Sequence, residues 1–232
     1  MFIGTVLPAH HHNDSTRSHF TATVSVVATL TALVLGLAIS NANTTRVAMI
    51  QDLSLLSSNI VQAHGLLRQF GPEADAADAT LAQYAAHKLA DLFPTMPGAH
   101  VNLMNPATSA LFDQMQEQLL ELKPHNDAQH WRQSQALQLS SQIATARWAI
   151  AEQGHVGVPQ AVVVVVTFWL AILFGTYGLF TPRHATAIAA LILCACAVAA
   201  AILMILEART TFTGLIRIPS GSLVEAVEMV RR

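Results

Sequence analysis

The chain has 232 residues, of which 53% are hydrophobic and 11% are charged. An average soluble domain is roughly 25% charged, so this composition favours a membrane protein with a modest aqueous part. The formal net charge of -2 excludes a global basic field of the kind that nucleic-acid-binding proteins use.

The N-terminal segment, residues 1–19, is short and polar and contains three consecutive histidines, His10, His11 and His12. Such a triplet can bind a metal ion in a flexible tail. No set of Cys, Asp and Glu ligands surrounds it, so we interpret the segment as a solvated linker. The sequence therefore predicts neither a metal site nor a cofactor site.

Residues 20–40 form the first apolar run and contain no charged residue. Their length is sufficient for a transmembrane helix. Four small residues recur at every fourth position and predict close packing against another membrane helix: Ala28, Ala32, Gly36 and Ser40. The alternative is a signal peptide cleaved after Ala42. The long polar lead and the long apolar run favour the membrane helix.

Residues 41–160 are predicted to form an aqueous bundle of four amphipathic helices. The first helix has an apolar seam with steps of four and three residues, typical of a coiled coil, and continues directly from the membrane helix. Gly71 and Pro72 end it. Loop signals follow near residue 93, Asn105 is predicted to cap the third helix, and Gly154 is predicted to end the fourth.

Residues 161–206 contain two further uncharged runs of about 20 residues, the length that crosses a bilayer. We predict transmembrane helices over 161–180 and 185–206, joined by a hairpin turn at 181–184. Ala171 and Gly175 are small residues four positions apart and are predicted to pack against a neighbouring helix. Residues 207–232 form a C-terminal tail that we assign to the membrane interface, with docking on the bundle as the alternative.

Three stretches resemble motifs of a known family. The tail carries the pattern E…F-x-G-L-I-R-I, whose residues are Glu207, Phe212, Gly214, Leu215, Ile216, Arg217 and Ile218. Residues 7–11 are similar to an L-P-E-H-H stretch, and residues 70–74 are similar to a Y-G-P-E-A turn. Together they resemble the bestrophin-like family of bacterial integral membrane proteins, across nearly the whole chain. The chain departs from the family at Thr211 and Ser222, where the family often has proline. It also has only residues 1–6 before the first motif, where the family tends to have an earlier membrane helix.

The resemblance implies a relation to anion channels. The leading hypothesis is a subunit of a homo-oligomer in the lipid bilayer that conducts anions. The alternative is a membrane-anchored module whose helices bind a protein partner without transport. Charges near the spans favour a multi-pass protein of the inner membrane with a cytoplasmic bundle.

No catalytic motif is present, and we predict that the chain is not an enzyme. Two pairs of polar residues lie one helical turn apart, His87 with Asp91 and Asp75 with Asp78. We interpret both pairs as solvated helix faces. The predicted fold is all-α, with three transmembrane helices and a four-helix cytoplasmic bundle.

Overall fold

The computed structural model describes residues 14–94, 100–155, 160–180, 184–207, 212 and 217–231. None of these residues lies in a β-strand, and the predicted all-α fold is confirmed. The helices are α1 (Asp14–Phe70), α2 (Asp75–Leu92), α3 (Pro106–Glu121), α4 (Asp127–His155), α5 (Gln160–Phe180), α6 (Ala185–Glu207) and α7 (Gly221–Val230). A short 3-10 helix, Pro72–Ala74, precedes α2.

The chain divides into two compact units. The membrane unit comprises Met1–Asn43 and Val158–Arg209, and the bundle unit comprises Thr44–Gly157 and Thr210–Arg232. Helix α1 contributes its first part to the membrane unit and its remaining part to the bundle unit.

Among the described residues, three helices are long and apolar enough to cross a membrane, which confirms the three predicted spans. They lie within Ala22–Phe70, Ala161–Gly178 and Ala185–Glu207. Of the predicted hairpin turn at 181–184, residues 181–183 lie outside the described residues. Helix α1 has 57 residues and is therefore about 85 Å long at 1.5 Å per residue. A bilayer core is roughly 30 Å thick, so much of α1 must lie outside the hydrocarbon.

The core of the bundle unit forms along the seams that the sequence predicts. In α1 every seam residue is buried: Met49, Leu53, Leu56, Ile60, Ala63, Leu67 and Phe70. In α4 the five seam residues are buried as well: Ala136, Leu139, Ile143, Ala146 and Ile150. Helix α2 contributes Leu81, Ala85 and Leu92 to the same core, and Leu89 packs against it half-buried. The coiled-coil-like spacing therefore marks packing inside one chain.

Individual residues at the helix ends determine where these helices stop and start. Gly71 has a φ of 125°, a conformation that glycine adopts readily, and it stops α1 as predicted. The Oδ1 of Asn105 accepts a hydrogen bond from the N–H of Ala107 at 3.0 Å, which confirms the predicted cap of α3. Asn126 caps α4 in the same way, through the N–H of Gln129 at 2.9 Å.

The prediction for Gly154 is wrong, because α4 continues past it to His155. Glycine here permits close packing instead of ending the helix. A Cβ atom at Gly154 would clash with the Cδ1 of Leu103.

The described part of the C-terminal tail docks on the bundle, which is the alternative that the sequence left open. Helix α7 packs against α2. It places Leu223, Val227 and Val230 in the bundle core, together with Ile218 just before the helix. The assignment of these residues to the membrane interface is therefore replaced by a bundle contact. The reason is that apolar residues recur at helical spacing along one side of α7, and this side packs against α2.

Candidate functional site

In the membrane unit, α1 has two different faces. Thr31 is buried at 3% exposure, and Leu35 and Ala38 line an apolar cleft with residues of α5 and α6. The opposite side is exposed and includes Thr29, Gly36 and others. The three helices of this unit therefore meet on one side of α1 and leave the other side uncovered within the described part of the chain.

The predicted small-residue positions fall mostly on the uncovered side. Ala28 is half-buried, whereas Ala32, Gly36 and Ser40 are exposed. Four residues advance an α-helix by about 400°, so each step along the series turns it about 40° further around the helix. A Cβ atom at Gly36 would meet no described atom within 4 Å. Within the described part of one chain, these residues therefore do not form the close helix contact.

Helix α5 gives the same result. Ala171 and Gly175 are exposed, and a Cβ atom at Gly175 would also meet no described atom within 4 Å. Both sets of small residues are therefore uncovered within the described part of the chain.

Four threonine hydroxyl groups of the membrane unit donate to carbonyl groups of their own helices. Thr29 donates to the carbonyl of Ser25 at 2.9 Å, and Thr31 donates to that of Val27 at 2.7 Å. Thr167 and Thr176 do the same in α5. The hydroxyl oxygen of Thr29 therefore stays available on the exposed side as an acceptor.

The family-motif residues of the tail have structural contacts. Phe212 is buried and packs edge-to-face on Phe93, with ring centroids 5.5 Å apart. The backbone carbonyl of Arg217 accepts a hydrogen bond from Arg46 Nη2 at 3.4 Å, while the Arg217 side chain is exposed. Glu207 is the last residue of α6. Gly214 and Ile216 lie outside the described residues. The described motif residues of the bundle unit thus hold the tail in place.

A buried polar cluster joins α2 to α3 in the bundle unit. Asp91 accepts hydrogen bonds from Asn105 Nδ2 at 2.7 Å and from Thr108 Oγ1 at 2.5 Å. Lys88 donates to the carbonyl of Leu103 at 2.9 Å. Burial lowers the pKa of Lys88 to about 8, although the negative charge of Asp91 opposes that shift.

An aromatic group adjoins this cluster. The rings of Tyr84 and Phe112 lie 5.3 Å apart, and the guanidinium of Arg147 lies 4.7 Å from the Phe112 centroid. Burial raises the pKa of Tyr84. The neighbouring guanidinium of Arg147 opposes that shift. The arrangement stabilises the bundle and offers no nucleophile with an adjacent base.

The sequence analysis did not predict the contacts that two aspartates make between helices. Asp91 and Asp78 were expected on solvated faces, yet both are half-buried. Asp78 Oδ1 lies 2.6 Å from His64 Nδ1 on α1. The one signal for the contact of Asp91 was Asn105. Its Oδ1 caps α3, and its side-chain N–H then needs an acceptor, which Asp91 on α2 provides. Spacing within one helix carries no such information about another helix.

No group of three or more His, Cys, Asp or Glu side chains that could hold a metal occurs in the described part of the chain. The histidine triplet His10, His11 and His12 lies outside that part.

One comparison with known proteins shows the family, and another shows a similar fold. Residues 1–223 match the family described as "Bestrophin-like domain". The fold is similar to the crystal structure of a point mutant of a bacterial bestrophin homolog from Klebsiella pneumoniae. The TM-score is 0.72 at 13% sequence identity, over 91% of this chain and 88% of that chain. No curated protein matches the sequence.

Proposed function

Because the chain belongs to the bestrophin-like family of integral membrane proteins, we propose that it is a subunit of a homo-oligomer that conducts anions. The proposal is carried by one observation, the uncovered and uncharged side of α1 in the membrane unit. A path for ions would run along this side, between copies of the chain.

The uncovered side of α1 combines polar and small residues with large apolar ones. Ser25, Thr29, Gly36 and Ser40 are exposed within about 60° of one another around the helix, beside Leu33 and Leu37 at 69% and 71% exposure. The exposed side of α6 is instead apolar and includes Leu193 at 73% and Leu203 at 59% exposure. Small and hydroxyl-bearing side chains suit a contact with protein or water, and the large apolar side chains of α6 suit lipid.

A single copy cannot provide a water-filled path, because three helices that pack together leave no lumen between them. Several copies can place their α1 helices around a common axis.

The preference for anions follows from the family and agrees with the local charge. No acidic residue occurs in α1 between residues 15 and 51, so a path along α1 would not repel anions there.

The proposed localisation is the inner membrane with the bundle in the cytoplasm. Four arginines lie near span ends on the bundle side, Arg46, Arg147, Arg209 and Arg217. Two arginines, Arg17 and Arg183, lie on the other side. Positive residues are enriched on the cytoplasmic side of membrane proteins, so the count favours a cytoplasmic bundle.

The function is tested with purified protein in liposomes, in a background where Cys194 and Cys196 are replaced by alanine. Ser40→Cys places a thiol on the proposed path, and Leu193→Cys places a matched thiol on the lipid side. A water-soluble methanethiosulfonate reagent should change chloride flux through Ser40→Cys and leave flux through Leu193→Cys unchanged. Silent liposomes together with a monomeric protein would contradict the pore and favour the partner-binding module.

The orientation has a separate test in the same background. A cysteine introduced at Ala128, which is exposed on α4, should resist a membrane-impermeant maleimide in intact cells. It should react once the cells are permeabilised. Strong labelling of intact cells would reverse the proposed orientation.

A further inference from the structure

Two basic side chains lie in the interior of the bundle unit, between helices α2, α3 and α4. Lys88 on α2 is buried at 4% exposure. Arg147 on α4 is half-buried, and its guanidinium lies 4.7 Å from the ring centre of Phe112 on α3. That ring is itself buried. Both positive groups are therefore largely removed from water, whereas most lysine and arginine side chains lie at the surface.

The two basic groups form one cluster with Tyr84. Tyr84 lies one turn before Lys88 on α2, and its ring lies 5.3 Å from the same Phe112 ring that Arg147 contacts. Burial lowers the pKa of Lys88 to about 8, while Asp91 opposes this shift and Arg147 adds to it. A charge changes a pKa strongly when it is close to the titrating group, so Arg147 lies near Lys88 as well.

Asp91 is the acidic member of this cluster, and both of its carboxylate oxygens are already engaged. Oδ1 accepts a hydrogen bond from Asn105 Nδ2 at 2.7 Å, and Oδ2 accepts one from Thr108 Oγ1 at 2.5 Å. The hydrogen bond described for the Lys88 ammonium group goes instead to the neutral carbonyl of Leu103 at 2.9 Å. The single negative charge of Asp91 is therefore held by neutral donors.

Arg147 has no carboxylate partner in the described part of the chain, where the ion pair that forms is that of His64 with Asp78. The acidic side chains of α3 and α4 are exposed, as are both glutamates of α7. Those of α3 and α4 are Asp113, Glu117, Glu121, Asp127 and Glu152. Counted over the described residues, the cluster thus holds two positive charges and one negative charge.

This imbalance of charge is unfavourable in a protein interior, because a charge removed from water needs a close opposite charge and hydrogen-bond partners. Loss of the Lys88 proton does not remove the imbalance at pH 7, since a pKa of about 8 leaves most of the ammonium charged. The cluster also has donors to spare. An ammonium has three N–H groups and a guanidinium has five, and neither can accept a hydrogen bond.

We propose that Lys88, Arg147 and Tyr84 bind a small monovalent inorganic anion, a halide such as chloride, in the interior of the bundle unit. One negative charge balances the cluster, and the anion accepts hydrogen bonds from the ammonium, the guanidinium and the tyrosine hydroxyl. The site is enclosed by the buried rings of Tyr84 and Phe112. Such surroundings suit a single-atom anion better than a phosphate, which is larger and carries more charge.

The proposed anion site is separate from the proposed conducting path. Its residues belong to the bundle unit, whereas the path runs along α1 in the membrane unit. The bound anion joins α2 to α4 through Lys88 and Arg147, and therefore stabilises the folded bundle. A ligand that binds only the folded state raises the stability with its concentration. This stabilisation needs neither conduction nor an oligomer.

The test measures the melting temperature of the full-length protein in detergent at pH 7. Sodium chloride replaces sodium gluconate stepwise at a constant total salt concentration, so that screening of surface charges stays the same. The melting temperature should rise with chloride, and sodium bromide should have the same effect. A melting temperature that does not respond to either halide would overturn the site.

Single substitutions locate the anion. Arg147→Gln and Lys88→Met each leave one positive charge opposite Asp91, so both variants should lose the response to chloride. The matched controls are Arg68→Gln and Lys123→Met, which change exposed residues of the same unit and should keep the full response. Circular dichroism confirms that each variant is folded. Folded Arg147→Gln and Lys88→Met proteins that respond as the wild type does would show that chloride binds elsewhere and overturn the proposal.

A milder variant tests the site without changing its charge. Tyr84→Phe keeps the packed ring and removes one donor, so the apparent dissociation constant for chloride should rise by about tenfold. An unchanged constant would overturn the proposed site.

Chloride flux through liposomes separates this inference from the proposed function. Flux without a chloride-dependent melting temperature overturns the anion site and leaves conduction standing. A chloride-dependent melting temperature in protein that is silent in liposomes supports the anion site alone.

Discussion

The two units of the molecule use apolar side chains in opposite ways. In the bundle unit Leu56 is fully buried, and the seam around it is buried along its whole length. In the membrane unit, Leu33 and Leu37 of the same helix are 69% and 71% exposed. One helix thus changes from a core element in water to one whose apolar side chains face outward. High apolar content alone therefore does not indicate where a core lies.

Periodicity separates the two units better than composition does. The bundle seam repeats at steps of three and four and leaves a polar side for water. The membrane helices α5 and α6 instead expose mainly apolar side chains, because lipid accepts them on every side.

The largest effect is expected from truncating one leucine in each unit. Leu56→Ala should lower the free energy of unfolding by about 2–5 kcal/mol, because it leaves a cavity in a packed core. Leu33→Ala should change it by less than about 1 kcal/mol. Denaturant titration in detergent micelles, followed by circular dichroism, measures both. Equal losses would show that the membrane unit has its own packed core around Leu33.

The second effect concerns pH and the buried Lys88. Its pKa is about 8 in the folded chain and about 10.4 in an unfolded chain. Between those values the unfolded state binds more protons, so this residue makes stability rise with pH. We expect Lys88→Met to flatten that rise, which is worth about 3 kcal/mol at most.

The chain contains a matched control for Lys88. Lys123 lies just beyond the end of α3 and is exposed, and Lys123→Met should leave the pH dependence of stability as it is. Unfolding free energies measured from about pH 7 to about pH 10.5 span both pKa values and test both variants. An unchanged slope in Lys88→Met would mean that water reaches the ammonium group.

The third effect is the loss of the acceptor that joins α2 to α3. Asp91→Ala leaves the side chains of Asn105 and Thr108 without their partner and should cost about 2–3 kcal/mol. Asp113→Ala, on the exposed side of α3, should cost less than about 0.5 kcal/mol. Thermal unfolding measures the melting temperatures of the two variants side by side. Similar melting temperatures would contradict the role of Asp91.

The smallest effect is expected at the pair of His64 and Asp78, whose side chains are 17% and 13% exposed. Asp78→Ala should destabilise the bundle by about 1 kcal/mol, since partly solvated pairs contribute little. Asp75→Ala, one turn earlier and exposed, is the reference. A loss above about 3 kcal/mol would show that the pair is effectively buried.

The sequence predicts most of the fold because its signals are local. Gly71, Asn105 and the α1 seam act through neighbours within one or two turns, and the structure confirms them. The partners of Asp91 and Asp78 lie on other helices, so no spacing within one helix could identify them. The prediction that Gly154 ends α4 failed for the same reason. The side chain that leaves no room for a Cβ atom there belongs to Leu103, which lies outside α4.

The proposed path and anion site are less accessible to sequence reasoning. The small residues from Ala28 to Ser40 predict close packing, but a fixed step of four does not reveal which of them end up uncovered. Lys88 and Arg147 lie on α2 and α4, so no spacing within one helix indicates that they share a cluster. Their proximity becomes visible once the bundle is assembled.

The separation of hydrogen-bonded residues along the chain has a consequence for folding order. The bonds from Lys88, Asn105 and Thr108 that join α2 to α3 span 14 to 17 residues. Gln153 reaches Asp52 across 101 residues, and Arg46 reaches Arg217 across 171. Short loops close at a smaller entropic cost than long ones.

A nascent chain can therefore form the α2–α3 hairpin before α4 is complete. The surface of α2 that α7 finally covers stays uncovered until the tail leaves the ribosome, after both helices of the membrane hairpin. During that interval the apolar side of α2 is the part of the bundle most exposed to aggregation or to a chaperone.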